Sequence, residues 1–255
     1  MKDESRGGEG ERAPRGSRRP APRPQVRVVR AGRGRALRID GTFASFYTPG
    51  RELTGLVWNA LASPLAWLPP ERRRSVLVLG LGGGSVARVA RALAPRARIV
   101  GVEMNPEVVR AARRHFGLDA LGVEVVVADA QAWLERARGR FDLVIEDVFA
   151  GRGRRVRKPA WLPRPGLLLA ARRVAPGGIL TINALDDAPD SLRTLGPLFP
   201  ARVSVAVDGW DNRILVAGPA RLNAAGLRTA LARERLLAPT LARLALRTLP
   251  RRGAS

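Results

Sequence analysis

The chain has 255 residues, 45% of them hydrophobic, which allows one large α/β domain with a small appendage. It has no cysteine and one histidine, His115, so disulfides and thiolate–zinc sites are excluded and no metal is expected. The net charge of +23 is almost all arginine, since Lys2 and Lys158 are the only lysines. Such charge attracts nucleic acid or an anionic surface, but no aromatic residues interleave the arginines as a stacking platform requires. Nucleic acid is therefore an allowed partner and not a favoured one. No apolar run approaches the ~20 residues of a membrane span. Ser17-Arg18-Arg19 is followed by Pro-Ala-Pro-Arg-Pro and not by an apolar stretch. A cytoplasmic protein without a membrane partner is expected.

Residues 1–25 are Arg, Gly, Pro, Glu and Ser with almost no apolar content, the composition of a disordered basic tail. VRVV, ALRID and FASFYT follow, separated by Gly32, Gly34 and Gly41, and predict a small antiparallel β-unit. Leu53–Trp67 is apolar at helical spacing and stops at Pro69-Pro70, so residues 26–70 read as that unit with a linking helix. Strands and helices then alternate. SVLVLG is a strand, SVARVARALA a helix and ARIVGVE the next strand. Asn105 is placed to cap a helix that has Pro106 at its first position. GVEVVVAD, QAWLERAR and FDLVIED supply a strand, a helix and a strand. PGLLLAARRVA predicts a helix ended by Gly177-Gly178, with GILTINAL as a strand after it.

The alternation predicts a mostly parallel sheet over residues 71–255 with helices on both faces. ARVSVAVDG and NRILVAG flank a Trp-Asp-Asn turn, an expected antiparallel hairpin at the sheet edge. ARLNAAGLRTALARERLL and APTLARLALRTL read as amphipathic helices that supply packing or homodimer surface.

In such a sheet, ligands sit beyond the carboxyl ends of the strands. The first strand runs into Gly80, Gly82, Gly83 and Gly84, where missing Cβ atoms allow positive φ and close approach, ahead of a helix N-terminus. The second ends at Glu103, about 20 residues on, where an acid can accept from both ribose hydroxyls. The third ends at Asp129-Ala130, an acid for an adenine amino group beside a small residue that clears the ring face. The fourth ends at Glu146-Asp147, facing the remaining space. Each has a plainer reading: a tight turn, a helix N-terminal charge at Glu103, or an N-cap at Asp129. Four in succession point to an adenosine-type ligand.

With those residues in place, VLVLGLGGGSVARVA, VEMNPEVVRAARRHFG, VEVVVADAQAWL and FDLVIEDVF resemble the spermidine synthase-like branch of the class I S-adenosylmethionine-dependent methyltransferase superfamily. LRIDG resembles the N-terminal β-unit of spermidine synthases. The resemblance implies a Rossmann-like sheet binding S-adenosylmethionine or its decarboxylated form. Gly80, Gly82 and Gly84 would line the methionine part, Glu103 with Met104 would hold the ribose, and Asp129-Ala130 would meet the adenine edge. Asp147 falls on the acid that takes a proton from the attacking amine.

The departures concern the aminopropyl group and the acceptor. Gly83 and Ala44 stand where spermidine synthases carry an acid and a glutamine, and Pro49-Gly50 and Leu53-Thr54-Gly55 replace further polar residues. After Asp147 the loop holds Arg152, Arg154, Arg155, Arg157 and Lys158, five positive charges over a pocket that a dicationic polyamine would need to be acidic. Transfer of methyl to a small-molecule nucleophile, with Asp147 as base or amine-orienting group and Glu146 turned into the sheet, is the favoured expectation. Aminopropyl transfer to a polyamine and a non-catalytic S-adenosylmethionine-binding protein remain as alternatives.

Overall fold

The computed structural model describes residues 24–54 and 57–250. The tail expected over residues 1–25 lies outside them but for its last two residues. Three short strands, β1 (Val26–Ala31), β2 (Gly34–Ile39) and β3 (Thr42–Tyr47), form an antiparallel sheet in the order β1-β2-β3. The β2–β3 turn uses Asp40 at φ 49° and Gly41 at φ 81°, the Asp-Gly pairing that a tight hairpin demands. Leu37 from this sheet packs on Val108 and Phe116, a small core of its own.

The linking helix is shorter than its apolar pattern. Helix α1 covers only Val57–Ala62, and Ser63–Trp67 tightens to a 3₁₀ turn. Pro64 has no N–H for the carbonyl of Ala60, and the Ser63 hydroxyl donates to that oxygen instead, at 2.9 Å.

The main sheet then builds from β4 (Ser75–Leu79), α2 (Ser85–Leu93), β5 (Arg98–Glu103), α3 (Pro106–Phe116), β6 (Val123–Val127), α4 (Ala130–Arg136) and β7 (Phe141–Glu146). It continues through α5 (Gly166–Arg172), β8 (Val174–Ala184), α6 (Ala188–Leu195), β9 (Ala201–Val207), β10 (Arg213–Gly218), α7 (Ala224–Arg233) and β11 (Leu244–Leu249). Its order is β11-β9-β10-β8-β7-β4-β5-β6. Strands β4 to β8 run parallel, and β10, β9 and β11 add antiparallel pairs. Apolar clusters cover both faces, one against α1, α2 and α7 and the other against α4 and α5. The strand order reverses between β4 and β7, so the crevice for a ligand lies at their carboxyl ends. This is the Rossmann-like α/β architecture that the alternation predicts.

Three expectations are corrected. APTLARLALRTL is not a helix: after a 3₁₀ turn at Ala238–Arg243, Leu244–Leu249 pairs with β9 as an edge strand. Its Leu244 and Leu246 turn to the core, a period of two that fits the pattern as well as a helical one does, and an open strand edge decides it. The β9–β10 hairpin is consequently inside the sheet and not at its edge. Finally, α5 ends at Arg172, before Gly177-Gly178, which lie within β8. Between Phe141↔Val174 and Leu143↔Ile179, β8 bulges, and a Cβ on Gly178 would sit 2.8 Å from the Asp142 carbonyl.

Candidate active site at the carboxyl ends of the strands

The glycine loop is held by its own chain. Gly80 and Leu81 donate their N–H groups to Val102 O, both at 3.0 Å. Gly80 has φ 82°, and a Cβ there would lie 2.4 Å from the carbonyl oxygen of Asp147, so this position admits only glycine. Over the loop sits Ser45 of β3. Its Oγ accepts from Gly83 N at 2.7 Å and donates to Ala44 O at 2.6 Å. Ser85, at the start of α2, bonds both backbone groups of Phe46 through its hydroxyl, at 2.9 and 2.8 Å. Two hydroxyls thus bolt the small sheet onto the loop. The glycines serve this close packing as well as any ligand.

At the end of β5, Glu103 accepts from Gly82 N through Oε2 (2.9 Å) and from Asn105 N through Oε1 (3.0 Å). Burial raises its pKa, against the pull of the backbone N–H groups of Asn105, Gly82 and Met104. Beside it, Met104 is 66% exposed, and Val127, which pairs with Glu103 across β5–β6, is 52% exposed. Two exposed apolar side chains thus flank a buried carboxylate. Asp129 caps α4, accepting from Ala132 N through Oδ1 at 2.9 Å, so the N-cap reading holds. Its Oδ2 is not used by the cap, and Ala130 is buried behind it. Asn105 also caps its helix as its spacing predicts, accepting from Glu107 N at 2.8 Å.

Asp147 follows β7 and donates its N–H to Leu79 O at 2.9 Å, which ties it to the strand that feeds the glycine loop. Its Oδ1 accepts from Asn183 Nδ2 at 2.7 Å and its Oδ2 from Trp58 Nε1 at 3.1 Å. Asn212 Nδ2 in turn donates to Asn183 Oδ1 at 2.8 Å, fixing that amide. Burial pushes the Asp147 carboxyl up to about 7. Glu146 adds to the rise, while Asn183, Lys158 and Trp58 oppose it. A carboxyl in that range can take up or release a proton near neutral pH.

Glu146 is turned inward, 1% exposed, with Lys158 Nζ at 2.8 Å from both of its oxygens. Lys158 also donates to Val148 O at 3.0 Å and lies 4.0 Å over the Phe149 ring. This corrects the picture of five lid charges. Lys158 is spent on a buried acid, and Arg152 reaches Asp40 of the small sheet at 3.3 Å. Arg155 and Arg157 are exposed. Trp58, Asn183 and Asn212 carry no motif, because each acts only through a partner far along the chain. Among the described residues, no cluster of metal-ligating side chains occurs, and no helix is long and apolar enough to cross a membrane.

Residues 76–156 match the methyltransferase-domain family. A polyamine aminopropyltransferase from Mycobacterium tuberculosis is 38% identical over 178 residues, 63% of this chain and 31% of the relative. Across the first curated relatives, the chain spans between 24% and 49% of their length. In the solved structures, a probable spermidine synthase from Corynebacterium glutamicum superposes with a TM-score of 0.67 at 21% identity, covering 88% of this chain and 87% of the other. Human methyltransferase-like protein 13, solved with S-adenosylhomocysteine, gives 0.59 at 24% identity, covering 78% and 95%. Residues 76–156 thus match a methyltransferase-domain family, and the chain has the fold of the spermidine synthase and methyltransferase-like protein 13 structures.

Proposed function

We propose that the protein is a transferase that binds an S-adenosyl sulfonium donor across β4, β5 and β6 and passes its methyl group to a small-molecule nucleophile. The observation that carries this is Asp147, locked between Trp58 and Asn183 beside Gly80 and poised to titrate near neutral pH. The residues present fit the donor. Glu103 takes the N–H of Gly82 on Oε2 and that of Asn105 on Oε1, and a carboxylate has further lone pairs for ribose hydroxyls. Met104 and Val127 offer apolar surface for an adenine, and Asp129 Oδ2 an acceptor for its amino group. Gly80, Gly82 and Gly84 bring the loop backbone to the methionine end. When bound, the sulfonium supplies an electrophilic carbon whose bond to sulfur breaks with the electron pair left on sulfur.

The chain's own residues do the rest. Trp58 and Asn183 hold the Asp147 carboxylate in one orientation, and Asp147 orients the nucleophile and takes its proton. Alignment of the reacting atoms accounts for most of the acceleration such a displacement needs. Aminopropyl transfer is the second reading, favoured by relatives named polyamine aminopropyltransferase. It uses the same Asp147 but asks for an acid that holds the aminopropyl group and for a glutamine, where the chain has Gly83 and Ala44.

Thermal-shift titration with S-adenosylmethionine, decarboxylated S-adenosylmethionine and NADH tests both. Stabilisation by the first above the second supports methyl transfer, and the reverse order supports aminopropyl transfer. Stabilisation by NADH alone would refute the donor assignment.

A further inference from the structure

Three rings from three separate elements form one cluster, and one of them touches Asp147. Trp58 of α1 donates to its carboxylate. Phe43 of β3 meets Trp58 edge-on at 5.4 Å. Trp210, in the β9–β10 turn, stacks on Phe43 at 6.0 Å with the planes 26° apart and meets Trp58 edge-on at 6.4 Å. Trp58 is buried, while Phe43 and Trp210 keep part of their surface open. The same turn also reaches the carboxylate through Asn212 and Asn183.

Of the acids on neighbouring elements, Asp211 beside Trp210 is exposed, where an ion pair contributes little, and three are committed to other partners. Glu146 is held by Lys158, Asp40 by Arg152, and Asp187 by Ser191 Oγ and Leu185 N. The wall itself is therefore the Asp147 carboxylate and a cluster of aromatic rings. An aliphatic dication needs a second acid for its far ammonium, which would otherwise lose water without a partner. Rings do attract cations, but these three touch one another at ordinary aromatic contact distances and enclose no box for an ammonium. They offer flat faces, to which another flat ring adds by stacking.

We propose that this wall selects a flat aromatic acceptor, a phenol or an aromatic amine, stacked on Phe43 and Trp210 with its O–H or N–H directed at Asp147. The proposal rests on the transferase reading above. In the step it serves, the acceptor's lone pair forms the bond to the transferred carbon, the carbon–sulfur pair stays on sulfur, and the acceptor's proton passes to Asp147. Trp210 is then a specificity-determining residue of a turn that the methyltransferase domain itself does not include.

Calorimetric titration of the full chain with phenol, catechol, aniline and putrescine, with and without S-adenosylhomocysteine, tests this. At least one aromatic probe is expected to bind tenfold or more tightly than putrescine, or about the factor that one stacked ring contributes. Trp210→Ala should remove that advantage and Trp210→Phe should keep it, with S-adenosylhomocysteine affinity unchanged in both. Putrescine binding more tightly than every aromatic probe, or an unchanged aromatic affinity in Trp210→Ala, overturns the proposal. S-adenosylhomocysteine bound with all aromatics rejected overturns this inference alone. Failure of S-adenosylhomocysteine to bind overturns the transferase reading and this inference with it.

Discussion

Replacing Asp147 by asparagine should move rate and stability in opposite directions. Burial lifts this carboxyl from its ordinary 3.8 to about 7. Between those values the folded chain holds a proton that the unfolded chain has released, so this group's contribution to stability falls as pH rises from ~4 to ~7. Fully ionised at pH 8, the carboxylate costs the fold up to about 4 kcal/mol. Asparagine has no charge to desolvate. Its amide nitrogen must instead face either the Trp58 indole or the Asn183 amide, both of which donate to Asp147, and that lost bond costs about 1–3 kcal/mol. The expected balance is a variant more stable than wild type by about 1–3 kcal/mol at pH 8, with the gain gone near pH 4. Turnover should fall ~10²–10⁴-fold, the usual cost of losing a general base. Urea unfolding at the two pH values, beside steady-state transfer rates, reads both quantities. A variant that keeps full rate, or that is less stable than wild type at pH 8, would refute the reasoning.

Two further predictions follow from the same neighbourhood. Lys158→Met should cost about 3–5 kcal/mol by leaving Glu146 buried and unpaired, and adding Glu146→Gln should recover most of it. A loss below about 1 kcal/mol in urea unfolding, the scale of a surface pair, would contradict the burial of this bridge. Trp58→Phe removes an N–H that favours ionised Asp147, so the midpoint of the pH–rate profile should move upward. A midpoint that stays in place or moves down would show that the indole does not tune this group.

The donor side of the site is legible in the sequence because it lies on one continuous pattern. Strand, glycines, Glu103 and Asp129 occur in order at successive strand ends, and local physics places each of them. Glu146 turning into the sheet is likewise readable from its strand. The acceptor side is not legible in that way. Phe43, Trp58, Asn183, Trp210 and Asn212 come from four elements scattered along the chain, and only the tertiary fold brings them together around Asp147. Lys158 reads as one more lid charge until its partner, twelve residues earlier, is seen beside it. The misread C-terminal segment has the same origin. LALRTL satisfies two periodicities, and the unpaired edge of β9 chooses between them.

Strand β3 carries Phe43 and Ser45 two residues apart, and a bulge at Ala44 between them turns the two to different faces. One touches the acceptor wall, and the other closes the glycine loop. A strand with both contacts cannot shift at one end without disturbing the other. Were the loop and the ring cluster to hold the two reactants of the proposed transfer, each would bear on the other by the same free energy, and the order of their arrival would become a property of β3.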